Sequence, residues 1–136
     1  MPEAVIFTGL QGSGKTTHYQ EHFSATHVHV SLDVQGTAER QRAVLQEAFA
    51  AGKSLVVDNT NATRAARASF IAQSKVAGYR VVGCFFDVPV RTAIGRNNHR
   101  KDKKAIPVPA ILRSAKQLQP PSEEEGFDEI RVIRPK

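Results

Sequence analysis

The 136-residue chain has one cysteine, one methionine, two tyrosines and no tryptophan. A lone Cys84 cannot close an internal disulfide, which excludes a small secreted scaffold held by cross-links. No apolar stretch approaches the roughly 18 residues a membrane-spanning helix needs. The run from Val81 to Phe86 is about the longest, and Gly83 interrupts it. Met1-Pro2-Glu3 leads straight into Ala4-Val5-Ile6-Phe7, with no cationic leader or cleavage site ahead of it. Few aromatics argue against a long base-stacking track. With 40% hydrophobic and 24% charged residues, the composition is neither disordered nor fibrous. The expectation is one cytoplasmic globular domain over residues 1–136, long enough for a single core.

Acidic residues are also scarce in one place. The formal charge is +6, yet between Arg91 and Lys104 six basic residues (Arg91, Arg96, Arg100, Lys101, Lys103, Lys104) face one acid, Asp102. The remaining thirteen basic and twelve acidic residues nearly cancel. One cationic segment on a near-neutral body points to a site aimed at a polyanion rather than to diffuse adhesion.

Short β-branched runs alternate with helical patterns. Strands are expected at Ala4–Thr8, His27–Ser31, Ser54–Asp58, Tyr79–Asp87 and Glu129–Ile133. Helices are expected from Lys15 to Phe23, from Thr37 to Ala51 with Gly52 as the stop, and from Thr63 to Ala77 with Gly78 as the stop. Two more follow, from Val90 to Arg100 and from Pro107 onward, the latter with Ile111, Leu112, Ala115 and Leu118 on one face. Strands separated by helices imply βαβ crossovers. The fold class is therefore α/β, a parallel sheet of about five strands covered on both faces. Such sheets bind ligands beyond the carboxyl ends of their strands, which selects Gly9 to Thr17, Asp33, Asp58-Asn59 and Asp87.

Gly9-Leu10-Gln11-Gly12-Ser13-Gly14-Lys15-Thr16 fits G-x-x-x-x-G-K-[ST] at every fixed position, between a strand and a helix. This is the P-loop pattern of nucleoside-triphosphate binding. Gly9, Gln11, Gly12, Ser13, Gly14 and Thr17 would cradle ATP phosphates with backbone N–H groups at a helix N-terminus. Lys15 would reach the β- and γ-phosphates, and the Thr16 hydroxyl would ligate Mg²⁺. Little chain is left over for the coupling elements of a motor or switch. A small kinase needs only this loop, a carboxylate near the acceptor and a cationic lid.

Asp33, just past the second strand, is the best carboxylate: it either accepts the proton of an attacking hydroxyl or merely caps a turn. Asp58 would hold the Mg²⁺ water shell or orient an acceptor, and the polar Asn59-Thr60-Asn61 follows it. Arg96 and Arg100, four apart on one helical face, suit a lid over about residues 91–106, because guanidinium forks bond two phosphate oxygens at once. Arg64 and Arg67 would line an acceptor groove or form a solvated helix face.

The phosphate loop, Asp33, Val57-Asp58-Asn59-Thr60-Asn61, Phe86-Asp87-Val88-Pro89, Arg96-Asn97, Arg100, Ile106-Pro107 and Leu112-Arg113 occur in an order that resembles the polynucleotide 5′-hydroxyl kinases. That family includes the bacteriophage polynucleotide kinase and the kinase domain of the mammalian polynucleotide kinase/phosphatase. Glu125-Gly126-Phe127-Asp128-Glu129-Ile130 is similar to the closing segment of the mammalian domain. The resemblance implies transfer of the ATP γ-phosphoryl to a 5′-hydroxyl end of DNA or RNA, gripped over a few nucleotides, with Asp33 as general base and Arg96 and Arg100 as lid arginines. Two positions depart from it. Leu32 stands where family members commonly carry arginine, and Gly36 stands where the phage enzyme does. Both bear on acceptor grip. No D-x-D-x-T phosphatase motif is present in the chain.

Two rival readings keep the same loop: a kinase for a small hydroxylated metabolite, and an ATP-binding regulatory module without an acceptor. His18 and His22 read as an exposed helix face rather than a zinc site, for want of a third ligand. His27 and His29 read as core or edge residues, Cys84 as core, and Glu123 to Glu125 as a solvated loop.

Overall fold

The computed structural model describes residues 1–98 and 106–134. β1 (Glu3–Thr8) feeds the glycine loop and α1 (Lys15–His22), and β2 (Val28–Val30) leads into α2 (Leu32–Gln35) and α3 (Ala38–Ala51). β3 (Leu55–Val57), α4 (Arg64–Val76), β4 (Arg80–Phe86), α5 (Val90–Asn98) and α6 (Val108–Gln117) follow. A single 3₁₀ turn (Glu123–Glu125) precedes β5 (Glu129–Ile133). The five strands form one sheet in the order β2-β3-β1-β4-β5, and every neighbouring pair is parallel.

The sheet is buried on both faces, as parallel sheets require. Alternation along β1 divides the core. Ala4 and Ile6 face Leu45 and Ala48 of α3 and Ile71 of α4, while Val5 and Phe7 face Tyr19 of α1 and Phe23. A third cluster joins Leu10 of the glycine loop to Ala93 of α5 and Ile111 of α6, so those two helices pack directly on the loop.

Helix boundaries follow local chemistry. Thr37 and Thr63 cap α3 and α4 by accepting from the amides of Arg40 and Ala66, and Gly52 ends α3 in the left-handed conformation. β2 and β3 are shorter than the sequence suggests, because the residues just past them turn away into side-chain contacts. The Asp58 amide still donates to the Val30 carbonyl at 2.7 Å, which sets Asp58 at the carboxyl edge between the two strands. Asp33 lies in helix α2, not in a plain turn. Gln35 folds back from that helix, its Oε1 accepting from the Ser31 amide at 2.7 Å and its Nε2 donating to the His29 carbonyl at 3.1 Å.

Candidate active site

The glycine loop is braced from behind before any ligand arrives. The Gly9 amide donates to the Thr60 carbonyl at 3.1 Å, and Gln11 Nε2 donates to Thr60 Oγ1 at 2.9 Å. Lys15 Nζ spans the loop's own Gly9 and Leu10 carbonyls at 2.9 and 2.8 Å. Gly12 has φ +83°, and a Cβ there would lie 2.2 Å from the Ala93 carbonyl oxygen of α5. Gly12→Ala therefore combines a left-handed backbone with a collision against helix backbone. It should cost about 1–3 kcal/mol and weaken ATP affinity as α5 withdraws, checked by thermal unfolding and calorimetric titration.

Behind the loop, the Asp58 side chain is only 2% exposed. Its Oδ2 accepts from Thr16 Oγ1 at 3.0 Å and from His29 Nε2 at 2.8 Å. The His29 ring stacks on Tyr19 with centroids 3.9 Å apart and planes 12° apart, and Tyr19 Oη donates to the His27 carbonyl at 2.6 Å. Burial, with the nearby Asp58 charge, raises the Tyr19 phenol above its ordinary value, so it stays protonated and able to donate.

A cavity of about 370 Å³ opens in front, and Lys15, Thr16, Asp33, Asp58, Asn59 and Arg96 are among its lining residues. Asp33 thus lines the same cavity as the phosphate loop, from a different strand end. Asn59 holds the Asp33 turn in place: its Oδ1 accepts from the Leu32 amide at 2.9 Å, and its Nδ2 donates to Gln41 Oε1 at 2.6 Å. Leu32, 44% exposed, also lines the cavity.

Arg96 Nη1 lies 3.4 Å from the Ser13 carbonyl. It borders both this cavity and a second one of about 340 Å³, to which Ser13, Gly14, Thr17, Phe86 and Ile133 contribute. Ser13 Oγ and Gln11 Oε1 are buried without a partner among the described residues. Asn97, fully buried, closes the root of the basic segment: its Nδ2 donates to the Ile106 carbonyl at 2.7 Å, and its Oδ1 accepts from the Ile106 amide at 3.1 Å. Arg100, Lys101, Lys103 and Lys104 of the expected lid lie outside the described residues.

The family model for an AAA domain matches residues 5–121, a span that includes every lining residue of the larger cavity. The chain belongs to the AAA domain family. A protein of Acanthamoeba polyphaga mimivirus, named as a bifunctional polynucleotide phosphatase/kinase, is 28% identical over 96% of this chain and 33% of its own length. The chain thus spans about a third of that relative. Kti12 of Chaetomium thermophilum, solved with ADP-AlF3, superimposes with a TM-score of 0.73 at 17% identity over 96% of this chain and 88% of the other. A gluconokinase of Sinorhizobium meliloti gives 0.65 at 16% identity over 98% and 82%. This AAA domain has the P-loop kinase fold, a kinase-like arrangement of parallel strands and helices.

Three expectations for the AAA domain are corrected. Arg67 neither lines a groove nor faces solvent. It is fully buried, with Nε and Nη2 on Glu125 Oε1 and Oε2 at 2.8 and 3.0 Å and Nη1 on the Asn61 carbonyl at 2.9 Å. Asn61 in turn sends its Nδ2 to the Phe7 carbonyl at 2.8 Å, so the ion pair supports the strand end that feeds the loop. Glu125 accordingly is not in a solvated loop; its side chain is 4% exposed and caps the 3₁₀ turn through Ser122. Arg64 stays exposed beside Glu124 and is not among the residues lining the cavity that holds Asp33.

His18 is half-buried against Phe7, Phe23 and Phe86 rather than on an exposed face. Burial and then His22 lower its pKa. No cluster of three metal-ligating side chains occurs among the described residues. Cys84 is buried in the sheet and its thiol is pushed up to about 12, chiefly by burial, in keeping with a core residue rather than a nucleophile. Two site residues escaped the sequence reading: His29, whose alternation with Val28 and Val30 resembles any half-buried strand, and Asn97, which carries no local signal beyond its place after Arg96.

Proposed function

We propose that residues 1–136 act as one catalytic unit, a phosphotransferase that moves the γ-phosphoryl of ATP onto the 5′-hydroxyl end of DNA or RNA. The observation that carries this reading is the shared cavity, which Asp33 lines together with the lysine and hydroxyl of the phosphate loop. ATP phosphates lie over the loop, where Lys15 exchanges the Gly9 and Leu10 carbonyls for phosphate oxygens. The nucleoside enters the second cavity, which shares Gly14, Thr17 and Arg96 with the first. Arg96, and Arg100 from the lid, neutralise the equatorial oxygens of the transferring group.

The donor set suits Mg²⁺: the Thr16 hydroxyl is a hard oxygen ligand, and the Asp58 carboxylate, 3.0 Å from it, would accept from the water shell of the ion. Held there, such an ion would offset the charge of the phosphate oxygens. Asp33 takes the acceptor proton as the acceptor oxygen bonds to the γ-phosphorus and the bond to the ADP oxygen breaks.

The ordered motif set and the viral relative's name support a nucleic-acid acceptor. One observation favours a small hydroxylated acceptor instead. Leu32, Asn59, Thr60 and Ile106 give part of the cavity that Asp33 lines an uncharged wall, beside the charged Lys15, Asp58 and Arg96. Labelled-phosphate transfer from γ-labelled ATP to 5′-OH oligonucleotides, nucleosides and sugars separates the two. Oligonucleotides should be labelled best, with an acceptor affinity that falls as salt rises, by a slope of about 0.7 per single-strand phosphate contacted. Preferred labelling of sugars or free nucleosides, insensitive to salt, would transfer the assignment to the small-acceptor reading. Lys15→Ala should cut transfer by roughly 10²–10³. Nucleotide binding without transfer to any acceptor would leave a regulatory module.

A further inference from the structure

We infer that His29 is a positioning residue for the metal: with Thr16 it pins one oxygen of the Asp58 carboxylate and reserves the other for a metal-bound water. The inference rests on the kinase reading above.

The juxtaposition joins three elements. Asp58 follows β3, Thr16 belongs to α1 and His29 to β2, and both donors converge on Oδ2, at 3.0 and 2.8 Å. A carboxylate at a strand end is otherwise free to turn about its last torsion. Two donors on the same oxygen remove that freedom and hold Oδ1 in one place. An enclosed carboxylate with a single hydroxyl donor would also be poorly compensated for lost hydration, and the imidazole N–H supplies the second bond. The ionised carboxylate only accepts, so His29 Nε2 is the donor whatever the state of its other nitrogen.

His29 is itself prevented from turning. Its ring stacks on Tyr19 at 3.9 Å, and Tyr19 is held by the His27 carbonyl at 2.6 Å. His27, two residues earlier, bonds Glu3 at the opposite end of the sheet instead. Of the two histidines, only His29 reaches the phosphate side. Mg²⁺ demands near-octahedral geometry and keeps several waters, which makes a fixed outer carboxylate oxygen valuable. Partners of this kind typically tune metal affinity about 10- to 100-fold.

Two substitutions separate the hydrogen bond from the packing. His29→Phe keeps a ring against Tyr19 and removes the donor. His29→Gln gives up the ring and keeps a donor near the Nε2 position. ATP binding would be measured calorimetrically in EDTA and across a Mg²⁺ titration, alongside the unfolding midpoint. We expect wild-type affinity for metal-free ATP in both variants. The Mg²⁺ concentration that half-saturates the effect should rise about 10-fold or more in the Phe variant and little in the Gln variant. An unchanged Mg²⁺ requirement in His29→Phe, or an equal loss in His29→Gln, overturns the assignment. If His29→Phe does not fold, the Gln variant decides, its retention of the wild-type requirement supporting the role and its loss refuting it. Should the wild-type protein bind ATP in neither buffer, the kinase reading falls and this role with it.

Discussion

Asp33→Asn should lower phosphoryl transfer by about 10²–10⁴ while leaving ATP affinity as it was. The substitution keeps the shape of the side chain and removes its capacity to take a proton. Asp33 belongs to α2, on a different element from the glycine loop, and Gln35 on Ser31 and Asn59 on Leu32 hold the backbone around it. On the proposed reading, donor binding and acceptor deprotonation thus sit on separate elements that share the cavity. The measurement is kcat on a saturating acceptor beside a calorimetric Kd for ATP. Near-normal turnover in the variant would remove Asp33 from the chemistry, and a parallel loss of ATP affinity would make it a donor-side residue.

Glu125→Ala should be the most destabilising single change outside the sheet core. It leaves the Arg67 guanidinium, fully buried, with only the Asn61 carbonyl. Stranding one member of a buried pair costs about 3–5 kcal/mol, a fall in Tm on the order of 10–15 °C for a chain of this size. Replacing both members by apolar residues of similar volume should recover much of the loss, because the unpaired charge goes with them. Thermal unfolding of the single and double variants makes the comparison. A drop under about 1 kcal/mol for Glu125→Ala would show that water reaches the guanidinium.

The same pair sets part of the acid limit. Burial alone would raise the Glu125 carboxyl, but the bonds from the Arg67 guanidinium and the Ser122 amide outweigh it and hold the group below the ordinary glutamate range. A carboxyl depressed on folding binds its proton less readily folded than unfolded. Its stabilisation is thus fully present above the ordinary glutamate range and is lost as pH falls through the depressed value. Glu125→Gln should flatten that acid limb of the stability curve.

The parts of this protein readable in advance share one feature: each depends on residues close together in the chain. The phosphate loop needs glycines at fixed spacing between a strand and a helix. Thr37, Thr63 and Gly52 act within a turn of their helices, and β1 is a short β-branched run. Helix α2 escaped because Leu32–Gln35 is too short to show a period. The Ser122-x-x-Glu125 spacing is a capping-box pattern, and would have marked Glu125 as more than one member of an acidic run.

No local rule decides between a solvated arginine and a buried one. Arg67 sits in the second turn of α4 with the same kind of neighbours as the exposed Arg64, and only the distant Glu125 makes its burial tolerable. His29 likewise became a site residue only when β2 paired with β3 and brought Asp58 to it. By itself the sequence determined the glycine loop and the α/β architecture, because torsional preferences and hydrophobic period are written in contiguous residues. Only the tertiary structure decided which charges are paired, which histidine meets Asp58 and which side chains share the cavity, because those choices depend on desolvation by partners tens of residues away.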